Sequence, residues 1–169
     1  MTMELTFFMN YLNHHQVLVA DLLYEKLGDQ FCFVVTLPVD LSEMKGGSDY
    51  SSRPYCIIAS KNRESHEYAM FLARNSQTCV FGANSLKYAI ERANCNPQGL
   101  SFECAERWFK RGAVNVLSPV FLKWYFCYQK YFHKANYYRL CSSAYASSDM
   151  QKVHAYEDRC YKWGYFTKV

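Results

Sequence analysis

The sequence lacks several features that would assign it to a common class of protein. It has no run of about 20 apolar residues, so we expect no membrane-spanning helix. No basic, apolar leader begins the chain, where Glu4 is acidic, so we expect a cytosolic protein. Charged residues make up 20% of the chain and the net charge is +4. This composition is far from that of a nucleic-acid-binding domain, and we expect no nucleic-acid partner.

The spacing of the eight cysteines disfavours both a disulfide framework and a zinc site. The closest pair is Cys95 and Cys104, and no CxxC occurs. Four others lie inside apolar, strand-like runs: Cys32, Cys56, Cys79 and Cys141. Buried free thiols behave as small hydrophobic groups. Because no DxD pair stands at a strand end either, no metal is expected.

The motifs of the common nucleotide-binding enzymes are missing. The first turn reads NYLNHHQ where a dinucleotide fingerprint would need GxGxxG. Neither a GKS or GKT phosphate loop nor a GxSxG nucleophile elbow occurs. We therefore expect no bound cofactor.

What the sequence does contain is a strand–loop–helix unit at its start. The apolar run from Leu5 to Met9 is typical of a strand buried on both faces of a parallel sheet. From His14 onward the apolar residues recur at helical spacing, and Gly28 stands where a helix C-cap glycine would.

The same alternation continues to the end of the chain. Strands are predicted at 30–37, 55–60, 78–82, 100–106, 137–143 and 160–166. Helices are predicted at 62–75, 85–93, 118–132 and 147–154, and a long polar loop at 38–54. Strands and helices in alternation specify a parallel, helix-covered sheet with right-handed crossovers. We predict an α/β, Rossmann-like three-layer domain with a mostly parallel sheet, spanning residues 1–169.

Candidate functional residues follow the predicted strands, at the carboxyl edge where open α/β sheets bind ligands. Asn13, His14 and His15 form the first turn. Histidine can act as a base or as a hydrogen-bond donor near neutral pH. The alternative is a helix start that merely tolerates polar residues.

A second group of candidates follows the fifth and sixth strands. Glu106, Arg107, Lys110 and Arg111 come after the fifth strand, and arginine suits contacts to carboxylates or phosphates. A solvated charged loop is the alternative reading. Ser142 follows the sixth strand and could bind a polyhydroxylated ligand or simply cap a helix.

The aromatic stripe of the helix at 118–132 also has two interpretations. Phe121, Trp124, Tyr125, Tyr128 and Phe132 recur at helical spacing, which indicates core packing. The accompanying lysines would also suit contact with a membrane surface, with Trp124 as the inserted residue.

The chain resembles the N-terminal half of a GT-B glycosyltransferase, of the family-four, group-one type used in polysaccharide biosynthesis. The resemblance rests on FFMNYLNHHQVLVADLLYE, then on AERWFKRG, and is supported by LCSSAYASSDM and CYKWGYF. Such enzymes have two Rossmann-like domains that face a cleft. The N-terminal domain mainly holds the acceptor, and the C-terminal domain holds the nucleotide-sugar donor.

The resemblance implies roles for the candidate residues. Asn13–His15 and Glu106–Arg111 would face the cleft, with His14 as the catalytic candidate and His15 against the acceptor or transferred sugar. Arg107, Lys110 and Arg111 would contact an acceptor or donor phosphate. The implied partners are a glycan or lipid-linked glycan acceptor and a C-terminal GT-B domain or partner chain that brings the donor. Two alternatives are a stand-alone, non-catalytic binding module and a membrane-peripheral partner subunit.

Overall fold

The computed structural model describes residues 3–38 and 50–164. Within them, seven strands form one sheet in which every neighbouring pair is parallel. The strands are β1 Leu5–Met9, β2 Phe31–Val35, β3 Cys56–Ile58, β4 Thr78–Phe81, β5 Leu100–Ala105, β6 Tyr137–Cys141 and β7 Cys160–Lys162. The α-helices are α1 Val17–Leu27, α2 Arg63–Asn75, α3 Leu86–Cys95, α4 Pro119–Cys127 and α5 Ala146–Gln151.

The strand order is β3-β2-β1-β4-β5-β6-β7. The chain builds outward from β1 to β3 on one side, then returns to the centre and builds from β4 to β7 on the other. The order therefore reverses between β1 and β4, which is where doubly wound sheets open a crevice for ligands. The predicted α/β, Rossmann-like class is confirmed.

Both faces of the central strands are covered, as the continuous apolar runs predicted, whereas Leu100 and Tyr161 leave part of one face exposed near β5 and β7. Phe8 points into a core formed with α2, α3 and α4, whereas Phe7 and Met9 point into a second core with α1. All five residues of β2 are buried. Two helical layers around one sheet give the three-layer architecture.

Local signals in the sequence set several helix ends. The Asn62 side chain accepts a hydrogen bond from the Ser65 N–H at 2.7 Å, which caps α2. Ser118 caps α4 in the same way, and Pro119 occupies its first turn. Gly28 ends α1 with a φ of 56°, a conformation that glycine adopts without steric cost.

Some boundaries differ from the prediction. Helix α5 starts at Ala146 and ends at Gln151, short of His154, whose φ of 51° is incompatible with a continuing helix. The helix begun by α4 continues through Tyr128–Phe132 as a π-helical turn. Of the predicted loop at 38–54, residues 39–49 lie outside the described residues, as does the predicted end of the last strand beyond residue 164.

The aromatic stripe is core packing. Phe121, Trp124, Tyr128 and Phe132 are all buried, and Tyr125 packs against the same core. Trp124 is 7% exposed, so a membrane contact that relies on its insertion is inconsistent with the structure. Within the described residues, no helix combines the length and apolar character needed to cross a bilayer.

Candidate functional site

A pocket of about 670 Å³ opens at the carboxyl edge of the sheet, beside the ends of β1, β4, β5 and β6. Its volume falls in the range of small-molecule sites. The apolar lining includes Phe81, Leu86, Ala89, Trp108, Val120, Trp124, Phe132 and Tyr137. The polar lining includes Asn10, Gln16, Asn84, Ser85, Glu103, Glu106, Lys123 and Ser142. The pocket thus combines an aromatic wall with a small number of hydrogen-bonding groups.

The turn after β4 shapes one side of this pocket. Ser85 Oγ donates to the Gly82 carbonyl at 2.6 Å, and Asn84 holds a positive φ of 60°. A Cβ on Gly82 would collide with the end of the flexible Met9 side chain, which would have to shift to make room for it. The glycine that ends the fourth predicted strand leaves this space to the Met9 side chain, and it also lines the pocket.

A charged network lies on the pocket floor. Glu103 Oε2 accepts from Arg139 Nη1 at 2.6 Å and from the Tyr156 hydroxyl at 2.8 Å. Its Oε1 accepts from Trp124 Nε1 at 2.9 Å. The Arg139 side chain is 0% exposed, and that of Glu103 is 19% exposed on the pocket side. These three donors fix the carboxylate and leave part of Oε1 able to accept from a ligand.

The network also fixes the protonation state of its members. Burial and the Glu103 carboxylate raise the pKa of Tyr156 and of Tyr137 well above the usual value, so both phenols remain neutral. Burial opposes the charge on Arg139, but Glu103 together with Tyr156, Cys141 and Cys160 more than offsets this effect, and the pKa of Arg139 is raised. The pocket floor therefore contains the Glu103–Arg139 ion pair together with the neutral hydroxyl groups of Tyr137 and Tyr156.

The sequence analysis did not predict Glu103 as a site residue, although the charge pattern of two strands indicates it. Glu103 and Arg139 are opposite charges within two otherwise apolar strands, and the β5–β6 register places them side by side. Lys123 and Trp108 were also absent from the predicted site. They reach it from α4 and from the segment after β5, whose course the sequence does not specify.

Of the predicted residues, Glu106 and Ser142 line the pocket. His15 lies beside it, in a cavity of about 40 Å³ whose lining also includes Ser142 and Gln16. His14 is exposed, and its ring centroid is 3.8 Å from that of His15. Asn13 accepts the His15 N–H at 3.0 Å and so shapes this turn without lining the pocket.

The three basic candidates after β5 do not line the pocket. Arg107 pairs with Asp149, through Nε at 3.2 Å and Nη2 at 3.3 Å, and Asp149 is 0% exposed. Lys110 pairs with Glu106, and Arg111 is exposed. The backbone N–H of Phe109 also donates to Asp149 at 3.1 Å. Arg107 therefore ties the loop after β5 to α5.

No group of three or more histidine, cysteine, aspartate or glutamate side chains that could hold a metal ion occurs in residues 3–38 and 50–164. All eight cysteines belong to these ranges and are free thiols. Their reactivity toward thiol reagents therefore depends on the burial and the hydrogen bonds of each thiol.

We expect Cys95 to react first when the folded chain meets a thiol reagent at neutral pH, because it alone of the eight is exposed. Burial raises the pKa of Cys32 to about 12 and that of Cys79 to about 11, which keeps both protonated. A hydrogen bond from Cys160 lowers the pKa of Cys141 to about 7, but Cys141 is only 5% exposed. Stopped-flow absorbance should show one fast thiol, and all eight after denaturation without reductant. Several fast thiols in the folded chain would contradict this packing.

Comparison of the chain with protein-family models, with curated proteins and with solved structures finds no match. The fold and the site together define an α/β, Rossmann-like domain with a ligand-sized pocket at the carboxyl edge of its sheet.

Proposed function

We propose that this chain is the acceptor-binding domain of a GT-B glycosyltransferase. In this proposal the enzyme transfers a sugar from a nucleotide-sugar donor to a glycan or lipid-linked acceptor in polysaccharide biosynthesis, in the cytoplasm. The observation that carries the proposal is the pocket of about 670 Å³ at the carboxyl edge, with its aromatic wall and carboxylate floor. The resemblance of the opening turn and of AERWFKRG to such enzymes supports it.

The lining chemistry suits a sugar. A sugar ring presents apolar C–H faces and a rim of hydroxyl groups, so it needs both flat apolar surfaces and hydrogen-bond partners. Trp108 and Trp124 supply the apolar surface, and Glu103, Glu106 and Ser142 supply the partners. Carboxylates accept hydroxyl hydrogen bonds strongly, because the acceptor is charged.

The charge distribution favours the acceptor over the donor as the ligand of this domain. The guanidinium groups of Arg107 and Arg139 are paired with Asp149 and Glu103, which leaves Lys123 as the basic side chain among the described lining residues. A nucleotide-sugar carries a diphosphate, which the two carboxylates in the pocket would repel. The donor is therefore assigned to a C-terminal domain or a partner chain.

Catalysis is assigned to the two-domain assembly. A cleft with one wall neither excludes water nor holds two substrates in reactive geometry. His14 is exposed beside the pocket-flanking His15, where a second domain could meet it. Its role as catalytic residue, and phosphate contacts by Arg107, Lys110 and Arg111, belong to this proposal.

Titration calorimetry with a panel of mono- and oligosaccharides and nucleotide-sugars tests the proposal. We expect acceptor sugars to bind and nucleotide-sugars to bind at least about tenfold more weakly. Glu106→Gln should lower acceptor affinity about tenfold, since a hydrogen bond to a charged group is worth about 1.5–3 kcal/mol. It should change the free energy of unfolding by less than about 1 kcal/mol, because the Glu106 carboxylate is half-exposed and pairs with Lys110 at the surface.

Glu157→Gln is the matched control. Glu157 is an exposed glutamate that pairs with His154 and does not line the pocket, so acceptor affinity should be unchanged. Tight nucleotide-sugar binding without acceptor binding would contradict the proposal, as would equal effects of the two substitutions.

A further inference from the structure

The turn after β5 carries one wall of the pocket, although it is part of no helix or strand. Strand β5 ends at Ala105, and Glu106 and Trp108 on this turn both line the pocket. The centroid of the Trp108 ring lies 5.2 Å from that of Trp124 and 5.4 Å from that of Phe121. The buried indole N–H of Trp108 donates no hydrogen bond within the part of the chain that the structure describes. The position of this ring therefore depends on ring packing and on whatever fixes the backbone on either side of it.

Asp149 on α5 fixes the chain on both sides of Trp108. Its side chain is 0% exposed, and it is the only buried carboxylate among the described residues. Its Oδ2 accepts from the Phe109 N–H at 3.1 Å and from Arg107 Nε at 3.2 Å, and its Oδ1 accepts from Arg107 Nη2 at 3.3 Å. One carboxylate thus holds the residue before Trp108 by its side chain and the residue after it by its main chain.

The partners of Asp149 match the needs of a buried carboxylate. Removing a carboxylate from water is unfavourable unless it is both paired and hydrogen-bonded, and both conditions are met here. The planar guanidinium of Arg107 bonds both oxygens at once, which an ammonium group does not do. Its Cζ also lies 5.1 Å from the ring centroid of Tyr145, the residue that precedes α5. The orientation of Arg107 is therefore set by two groups from one short segment.

We propose that Asp149 is a positioning residue for the pocket, which holds Trp108 in the wall through Arg107 and the Phe109 N–H. A ligand that contacts a ring already in place avoids the free-energy cost of ordering that ring on binding. The position of Trp108 is a property of the chain alone, whereas the effect on acceptor affinity rests on the proposed function.

Fluorine NMR of the whole chain labelled with fluorinated tryptophan tests the position of Trp108 without any ligand. The sequence has three tryptophans, so three signals are expected, and Trp108→Phe identifies the one from Trp108. The amide of Asp149→Asn has one acceptor oxygen, so it cannot keep the bonds of both carboxylate oxygens. We expect Asp149→Asn to shift or broaden the Trp108 signal and to leave the Trp163 signal unchanged.

Asp158→Asn is the matched control. Asp158 is exposed, does not line the pocket, and has a φ of 56°, which asparagine adopts readily, so all three signals should stay unchanged. Arg107→Lys is a second, milder variant, because it keeps a cation beside Asp149 but cannot bond both oxygens. It too should shift the Trp108 signal, and it decides the question if Asp149→Asn does not fold. An unchanged Trp108 signal in either folded variant, or an equal change in Asp158→Asn, would overturn the proposal.

Calorimetry with acceptor sugars separates this inference from the proposed function. We expect Asp149→Asn to lower acceptor affinity about fourfold, which corresponds to the lost burial of roughly one methylene group. If no sugar binds the unmodified chain while Asp149→Asn still shifts the Trp108 signal, the proposed function fails and the positioning role stands. An unchanged sugar affinity in a variant whose Trp108 signal has shifted would overturn the role of Asp149 in shaping the pocket.

Discussion

Replacing Arg139 by methionine is expected to lower the free energy of unfolding by about 3–5 kcal/mol, the usual cost of removing one partner from a buried ion pair. The Arg139 side chain is 0% exposed and donates to Glu103 at 2.6 Å and to the Glu106 carbonyl at 2.9 Å. Without it, the Glu103 carboxylate would remain in a mostly buried position with no cation to balance its charge. Urea denaturation followed by circular dichroism measures this loss.

A double variant separates the charge effect from packing. Arg139→Met combined with Glu103→Leu removes both charges, and it should recover part of the stability lost in Arg139→Met. Tyr156 and Trp124 would then keep their ring contacts but lose one hydrogen bond each. A loss below about 1 kcal/mol for Arg139→Met alone would mean that the pair behaves like an exposed one, contrary to the structure.

Arg92→Met is expected to cost about 3 kcal/mol or more, because several hydrogen bonds from one charged group are lost together. Arg92 is 1% exposed and donates to the carbonyl of Ser76 at 2.6 Å and that of Gln77 at 3.0 Å. It also donates to the Ala73 carbonyl at 3.3 Å. These carbonyls lie at the C-terminal end of α2, where the helix dipole favours a cation. The same urea titration measures the effect.

Arg74→Met is the control for this prediction. Arg74 lies in the last turn of α2, but it is exposed and pairs with Glu91 at 2.5 Å on the surface. Its removal should cost far less than the removal of Arg92, because a surface ion pair contributes little to stability. If both arginines contributed equally, the role of Arg92 in joining α2 to α3 would be contradicted.

The fold could be predicted from the sequence because the local signals agree with the global architecture. Most strands are short apolar runs, five of the seven are followed by a helix, and several helices have a recognisable start or end, such as Asn62, Ser118 or Gly28. Parallel, doubly covered sheets need strands of this kind. The boundaries of α5 and α4 were less predictable, since a positive φ and a π-helical turn leave no clear trace in the residue pattern.

The site could be predicted only in part, because its geometry depends on contacts between distant segments. The sequence places Glu106 and Ser142 after predicted parallel strands, and the structure brings both to one pocket at the carboxyl edge of the sheet. Arg107, however, pairs with Asp149 on α5, a contact between residues far apart in sequence. The first helix begins at Val17, after a turn, so Gln16 lines the pocket whereas His14 and His15 do not.

The most direct test of the proposed acceptor site is a fluorescence titration of the Trp163→Phe variant. Trp108 and Trp124 line the pocket, and Trp163 is the third of three tryptophans, so the variant reports from the pocket alone. We expect acceptor sugars to change the emission saturably, with a weaker affinity in a Glu106→Gln background, and nucleotide-sugars to change it with an affinity at least about tenfold weaker than that of the acceptors. A saturable response to nucleotide-sugars with none to acceptors would contradict an acceptor-binding domain.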